Sequence, residues 1–205
     1  MIAIIDSGIG NIKSVANAFA HLKADFIVTT KKEDLKKADK IVFPGVGAFC
    51  DGIEAVHRSR LLKTLEEEVL HKGKFYLGIC LGMQLLGTTG YENGEYQGLG
   101  WIPGTVRIIN TKNSRMKLPH IGWNNVSCSQ PNPLFDNLEN DPTFYFVHSY
   151  VLEPQDSSII AATCEYGEIF TASIRYKNIF GVQFHPEKSQ RNGLQLLDNF
   201  VKIDS

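Results

Sequence analysis

One cysteine lies where an apolar strand leads directly into a helical pattern. The run that begins at Phe75 continues into segment 78–82, which reads Gly-Ile-Cys-Leu-Gly with Cys80 at its centre. This Gly-x-Cys-x-Gly pattern is the thiol counterpart of the nucleophile elbow, a turn so tight that its flanking positions lack a side chain. We therefore predict that Cys80 is a nucleophile, exposed at the edge of a sheet beside a helix N-terminus that favours its thiolate.

A histidine and a glutamate follow a second apolar run. A thiol nucleophile needs a base, and the base needs a group that orients it. His185 and Glu187 supply both, and Pro186 between them stiffens the chain. Two positions apart in an extended chain, His185 and Glu187 project to the same side. We predict that His185 takes the thiol proton and returns it to the leaving group, while Glu187 holds the imidazole tautomer.

Acyl transfer also needs backbone N–H groups that stabilise a developing oxyanion. The N–H of Leu81, directly after Cys80, is one predicted donor. A second is expected from segment 43–47, Phe-Pro-Gly-Val-Gly, whose glycines let a peptide approach closely. The glycines at 8 and 10 begin a dinucleotide-type loop, but Lys13 stands where the third glycine is needed, so no nucleotide cofactor is predicted.

Alternating strands and helices must position these residues. In the first half, apolar runs predict strands at 2–5, 26–28, 41–43 and 75–79, and helical spacing predicts helices over 12–22 and 61–70. Strands that alternate with helices form a parallel sheet that binds ligands at its carboxyl edge.

The pattern changes after the elbow to short, turn-punctuated β-rich runs. These are 106–109, 144–151, 159–162, 170–174 and 179–184, and a final helical run covers 194–201. We predict an α/β fold with a mostly parallel central sheet flanked by helices and a β-rich antiparallel extension. With no repeat or linker, residues 1–205 are predicted to form one domain.

Composition excludes several classes of protein. The chain has 205 residues and a net charge of -1, which argues against a general binder of nucleic acid or anionic membranes. No apolar run approaches the roughly 20 residues of a membrane span, and no signal pattern opens the chain, so a cytoplasmic location is expected. The four cysteines show neither C-x-x-C nor zinc-finger spacing, and no metal site is predicted.

Segments 78–84 and 185–187 together resemble the class I, or triad, glutamine amidotransferases. Within that family, Pro-His-Ile-Gly-Trp-Asn at 119–124 and Phe-Val-His-Ser-Tyr at 146–150 are most similar to the glutaminase subunits of histidine biosynthesis. The resemblance implies the family's flavodoxin-like fold and hydrolysis of L-glutamine through a thioester on Cys80. It also implies a heterodimer in which ammonia passes to a (β/α)8-barrel cyclase subunit, with no cofactor.

The resemblance further assigns roles to residues outside the triad. Val46 is expected to give the second oxyanion N–H after a peptide flip. The residues expected to contact glutamine are Gly47, Gln84, Glu92, Ser149 and Tyr150. Those expected to face the cyclase are Asn11, Trp123 and Lys188.

Three positions depart from residues common in the family, namely Ser7, Phe75 and Val151. Ser7 and Val151 leave open a paralogous subunit whose partner aminates a surface-polysaccharide sugar. The residues are also compatible with a Cys-His-Glu γ-glutamyl hydrolase that acts without a partner, and with a non-catalytic nucleotide-binding scaffold without a reactive thiol.

Overall fold

The computed structural model of the chain describes residues 1–112 and 114–203. The first half contains β1 (Ile2–Ile5), α1 (Ile12–His21), β2 (Phe26–Thr29), α2 (Lys32–Lys37), β3 (Lys40–Gly45), α3 (Phe49–Ser59), α4 (Leu62–Leu65), which continues as a π-helix over Glu66–His71, β4 (Phe75–Cys80) and α5 (Leu81–Gln84). The second half contains β5 (Thr89–Gly90), β6 (Tyr96–Gln97), β7 (Gly104–Ile108), β8 (His120–Asn125), β9 (Ser127–Cys128), β10 (Thr143–His148), β11 (Tyr150–Pro154), β12 (Ile160–Tyr166), β13 (Glu168–Tyr176), β14 (Ile179–Val182) and α6 (Gln190–Lys202). Short 3-10 turns cover Pro133–Phe135, Ser157–Ile159 and Pro186–Lys188.

The central sheet has the strand order β2-β1-β3-β4-β14-β13-β12-β9. Its first five strands are parallel to one another, and the last three pair antiparallel. This arrangement confirms the predicted α/β class and the antiparallel extension. A second sheet has the order β11-β7-β5-β6, and β10 pairs with β8.

Both faces of the parallel region are covered, as a sheet of this kind requires. Successive residues of β1 point to opposite faces, so Ile2 and Ile4 join one core cluster while Ala3 and Ile5 join the other. Helices α1 and α6 pack on the first face, and α2, α3 and α4 pack on the second. Among the described residues, no helix has the length and apolarity needed to cross a membrane.

Helix α3 was not predicted from the sequence. Phe49, Ile53 and Val56 have helical spacing and are buried, but Gly52 interrupts the pattern with a poor helix former. The glycine is needed because a Cβ there would lie 3.0 Å from methyl carbons of Leu81 and Leu85, the residues that follow the elbow.

The segment predicted as one strand over 144–151 is two strands. The chain breaks at Ser149, so that β10 pairs with β8 while β11 pairs with β7 in the second sheet. His120, which the sequence placed in a loop, begins β8 and is buried. This strand escaped detection because its exposed face carries Ile121 and Trp123, which reverses the usual alternation.

Phe184 lies in the core directly before the predicted base. Its ring stacks on Phe144 with centroids 3.9 Å apart and meets Phe135 and Phe146 edge-on. The side chain is completely buried, and it therefore fixes where the following residue leaves the sheet.

We expect Phe184→Ala to lower the free energy of unfolding by about 3–5 kcal/mol, because it opens a cavity in this aromatic cluster. Urea denaturation followed by circular dichroism measures the change. Ile169→Ala, at a side chain that is 69% exposed, is the control and should stay within about 0.5 kcal/mol of the unmodified protein. A loss below about 1 kcal/mol for Phe184→Ala would contradict this packing role.

Candidate active site

The chain turns sharply at Cys80, between β4 and α5. The residue has φ 54° and ψ -109°, a conformation that L-residues rarely adopt. A Cβ on Gly82 would overlap the carbonyl oxygen of Phe43, and one on Gly78 would lie 2.5 Å from the carbonyl oxygen of Gly82. The turn therefore needs glycine at both positions, as the spacing of the motif indicates. The thiol residue is 6% exposed, so the expectation of an exposed nucleophile was wrong.

The parallel pairing of β4 with β14 brings the predicted base to the same edge of the sheet. Val182 lies opposite Ile79, so the residues that follow each strand emerge side by side. Nδ1 of His185 lies 2.8 Å from Oε1 of Glu187, and both side chains are 2% exposed. Since a carboxylate oxygen accepts, Nδ1–H donates to Glu187, which leaves Nε2 to exchange a proton.

Backbone contacts hold the histidine in place. The N–H of His185 donates to the carbonyl oxygen of Tyr145 at 2.9 Å. The Ser189 hydroxyl donates to the carbonyl oxygen of His185 at 2.6 Å and accepts from the N–H of Tyr145 at 3.0 Å. Ser189 is thus a positioning residue for the base that the sequence motif did not single out.

The electrostatic surroundings favour a charged His185. Burial alone lowers its pKa, whereas Cys80 and Glu187 raise it, and together they bring the pKa to about 10. Nε2 is buried and makes no hydrogen bond to another atom of the described residues, although the sulfur is close enough to raise the pKa. The arrangement is that of an imidazolium beside a thiolate, with the carboxylate behind it.

The two predicted oxyanion donors lie on either side of the nucleophile. Leu81 is the first residue of α5, so its N–H has no partner within the helix. Gly45 is paired with Cys80 across the parallel strands, which places Val46 and Gly47 directly beyond it. Val46 is 38% exposed, and Gly47 has φ +113°, a conformation that gives this loop freedom to turn a peptide.

Predicted glutamine contacts lie around this edge in different states. Gln84 is buried, and its Nε2 donates to the Tyr150 carbonyl oxygen at 2.8 Å and to Oε1 of Gln183 at 3.0 Å. Ser149 occupies the break between β10 and β11, and its carbonyl oxygen accepts from Ile109 N–H at 2.9 Å. Ser149 and Tyr150 are both partly exposed.

Glu92 has a partner that the sequence did not suggest. Its Oε2 accepts from the N–H of Phe49 at 2.7 Å, at the first residue of α3. The carboxylate therefore caps this helix at its N-terminus, where negative charge is favourable. Since the oxyanion loop ends at this helix, Glu92 anchors that loop to the β5–β6 hairpin.

The predicted interface residues are exposed and lie on two elements. Trp123 is 48% exposed and meets the ring of Tyr145 edge-on, with centroids 6.0 Å apart. Nζ of Lys188 lies 5.8 Å from the centroid of the same ring. Asn11 lies at the N-terminus of α1, where its Oδ1 accepts from Ser14 N–H at 3.3 Å.

A chain of hydrogen bonds that the sequence did not reveal runs behind the site. Nδ1 of His148 donates to the carbonyl oxygen of Tyr150 at 3.0 Å, so its Nε2 accepts from Nδ1 of His120 at 3.1 Å. Nε2 of His120 in turn accepts from the amide of Asn124, which also donates to the Glu165 carbonyl oxygen. This direction of donation requires both imidazoles to be neutral.

Gln183 was likewise missed, although the sequence carries a signal for it. It is a completely buried polar residue in an otherwise apolar strand end, two positions before His185. Its Nε2 donates to Sγ of Cys80 at 3.5 Å. A group of three or more His, Cys, Asp or Glu side chains able to hold a metal ion is not found within residues 1–112 and 114–203.

The two neutral histidines predict how stability depends on acid. Burial lowers the pKa of His120 to about 4 and that of His148 to about 3, from 6.5. As the pH falls from 6.5, the unfolded chain takes up protons that the folded chain does not, so the free energy of unfolding falls. His120→Phe keeps the ring stacking and removes one such group, and we expect a shallower fall between pH 6.5 and 4.5.

Urea denaturation across this pH range tests the expectation. His57→Gln, at an exposed histidine of α3, is the control and should retain the full pH dependence. Equal acid dependence in His120→Phe and the unmodified protein would show that His120 is not held neutral by the fold.

Comparison with known proteins agrees with this geometry. The sequence matches the family model for class-I glutamine amidotransferases over residues 3–203. Two solved structures share the fold: a putative GMP synthase component of Thermoplasma acidophilum (TM-score 0.72, 19% identity, 98% of this chain and 91% of that chain), and a protein described as glutamine amidotransferase (TM-score 0.74, 15% identity, 98% of both chains). The chain therefore belongs to the class-I glutamine amidotransferases.

Full-length relatives narrow the comparison within that family. The imidazole glycerol phosphate synthase subunit HisH of Oceanobacillus iheyensis is 44% identical over 203 residues, which is 99% of each chain. Subunit HisH 2 of Pseudomonas aeruginosa is 42% identical over 203 residues, 99% of this chain and 100% of its own. The HisH subunit of Acinetobacter baylyi is 45% identical over 202 residues, 98% of this chain and 97% of its own.

Proposed function

We propose that this chain is the glutaminase subunit of an imidazole glycerol phosphate synthase, which acts in histidine biosynthesis. It hydrolyses L-glutamine to glutamate and ammonia, and the ammonia passes to a (β/α)8-barrel cyclase subunit. The observation that carries the proposal is the buried Cys80, His185 and Glu187 arrangement in a chain that is 44% identical to a HisH subunit along its full length.

In the first half of the reaction, the Cys80 thiolate attacks the γ-carbonyl carbon of glutamine. The carbonyl electrons move onto oxygen, and the N–H groups of Leu81 and Val46 stabilise the resulting charge. His185, protonated at Nε2, gives that proton to the departing nitrogen as the carbon–nitrogen bond breaks. Ammonia leaves, and a γ-glutamyl thioester remains on the sulfur.

In the second half, neutral His185 removes a proton from water as the water oxygen attacks the thioester carbon. The tetrahedral intermediate collapses, the carbon–sulfur bond breaks, and the thiolate leaves beside a newly protonated imidazole. Glu187 accepts from Nδ1 in both halves, so it keeps the tautomer fixed and stabilises the imidazolium. Glutamate is released and the starting ion pair is restored.

Substrate binding is proposed to use the residues around the mouth of the site. Gly47, Ser149 and Tyr150 border the edge of the sheet at which the nucleophile lies. Gln84 meets the substrate through Oε1, because its Nε2 is already used by two protein acceptors. Glu92 is proposed to bind the α-ammonium group by the carboxylate that also caps α3.

The proposed cyclase interface is formed by Asn11, Trp123 and Lys188. A partly exposed aromatic ring with a lysine beside it is a common anchor in protein interfaces. Because α1 packs against the turn that follows His185, docking on this surface is proposed to act on the site from behind. The Val46 peptide then turns its N–H toward the oxyanion, which makes hydrolysis depend on the partner.

Glutaminase turnover of the chain alone, with a HisF-type cyclase, and with the cyclase plus its nucleotide ligand tests the proposal. We expect kcat to rise by roughly 10²–10³ only in the ternary mixture, since one oxyanion donor contributes about that factor. High turnover without a partner favours the free-standing γ-glutamyl hydrolase. A rise with a sugar-aminating partner, and none with the cyclase, assigns the chain to the polysaccharide branch that Ser7 and Val151 left open.

Substitution of the triad gives a second test in the ternary mixture. We expect Cys80→Ala to lower turnover by roughly 10⁴-fold or more, because it removes the nucleophile and little packing volume. His185→Ala should have a similar effect. Cys128→Ala removes an exposed thiol outside the site and is the matched control, with turnover unchanged. Full turnover in His185→Ala would refute its role as the base.

A further inference from the structure

The proposed reaction leaves one buried polar side chain beside the reacting sulfur without a role. Gln183 is completely buried, and its Nε2 donates to Sγ of Cys80 at 3.5 Å, within the usual range for a hydrogen bond to sulfur. Its backbone N–H is satisfied by the carbonyl oxygen of Ala172 on β13, so the strand pairing alone does not require a polar side chain here.

The direction of this hydrogen bond follows from a main-chain acceptor. The carbonyl oxygen of Tyr150 can only accept, so the Gln84 atom beside it at 2.8 Å is the donor Nε2. That nitrogen also donates to Gln183 at 3.0 Å, so the facing atom of Gln183 is the acceptor Oε1. The remaining end of the Gln183 amide is Nε2, and it points at the sulfur.

A second set of contacts keeps the main-chain acceptor in place. The Tyr150 carbonyl oxygen also receives the hydrogen bond from His148, which is linked through His120 to Asn124 on β8. The amide of Gln183 is thus oriented by an ordered series of hydrogen bonds and not by packing alone.

We propose that Gln183 is a further catalytic residue, an N–H donor that stabilises the Cys80 thiolate, and that Gln84 is the positioning residue that aims it. A hydrogen bond to a charged acceptor is stronger than one to a neutral acceptor, so the donor favours the thiolate over the thiol. It also favours departure of the thiolate when the thioester is hydrolysed. No proton passes through the amide, and His185 remains the acid and base.

This inference rests on the proposed function only in taking Cys80 as the nucleophile. It is tested on the intact chain without glutamine or cyclase, by the pH dependence of iodoacetamide alkylation at Cys80. Mass spectrometry of the peptide that contains Cys80 separates its reaction from that of the other cysteines. The midpoint of the profile reports how strongly the protein favours the thiolate.

We expect Gln183→Met, similar in length but without a donor, to move this midpoint upward by about one pH unit. At pH values below the midpoint, alkylation of Cys80 should then be roughly tenfold slower than in the unmodified protein. Gln183→Glu should move the midpoint further, because a carboxylate places a second negative charge beside the thiolate. An unchanged profile in both variants would overturn the proposal.

Ser173→Ala is the matched control for a purely structural effect. Its completely buried hydroxyl donates to the Gly181 carbonyl oxygen at 2.9 Å on the adjoining strand pair, so the variant loses a buried hydrogen bond without altering a contact to the sulfur. We expect lower stability in urea with the alkylation midpoint unchanged. An equal midpoint shift in this control would assign the effect to loosened packing and overturn the role of Gln183.

Gln84→Met gives a test that keeps the donor itself. It releases Oε1 of Gln183, so the amide loses its fixed direction, and a smaller upward shift of the midpoint is expected. If Gln183→Met fails to fold, an unchanged profile in Gln84→Met overturns the proposal by itself. If the shifts occur in a chain that shows no glutaminase activity with any partner, Gln183 remains assigned to the thiolate while the proposed function fails.

Discussion

The parallel pairing of β4 with β14 is the contact on which the site depends. Gly78 and Gly181 lie directly opposite each other in this pair, so the sheet has no side chains there. A Cβ on Gly181 would lie 2.7 Å from Cγ of Met83 in α5. The short helix after the nucleophile can therefore lie almost against the sheet, and the chain can reverse within one residue. The same pairing determines that nucleophile and base leave the sheet as neighbours.

The same region shows how one residue type takes opposite roles. His185 is buried beside a thiol and a carboxylate, and its pKa is raised to about 10. His120 and His148 are buried with an amide, a carbonyl oxygen and each other as partners, and burial lowers their pKa values to about 4 and about 3. Burial acts in the same direction on all three, so the nearby negative charge decides the outcome.

The sequence predicted those parts of the protein that depend on neighbours along the chain. The elbow around Cys80 and the turn at His185 each occupy a few consecutive residues, and alternating apolar runs were sufficient to predict the parallel sheet and its antiparallel extension. Gln183 and His120 escaped because their partners lie on other strands, far away in sequence. The burial of Cys80 was missed for the same reason, since no local pattern records what the rest of the fold places over a turn.

One acceptor of the hydrogen-bonded series is a main-chain atom. The carbonyl oxygen of Tyr150 receives both Gln84 and His148, and every direction of donation described above follows from it. A peptide oxygen is present whatever side chain the residue carries, so substitution at position 150 leaves this junction chemically intact. Evolution is therefore free to change the tyrosine ring at the mouth of the pocket, and with it the choice of ligand, without disturbing the atoms that orient the amide at the sulfur.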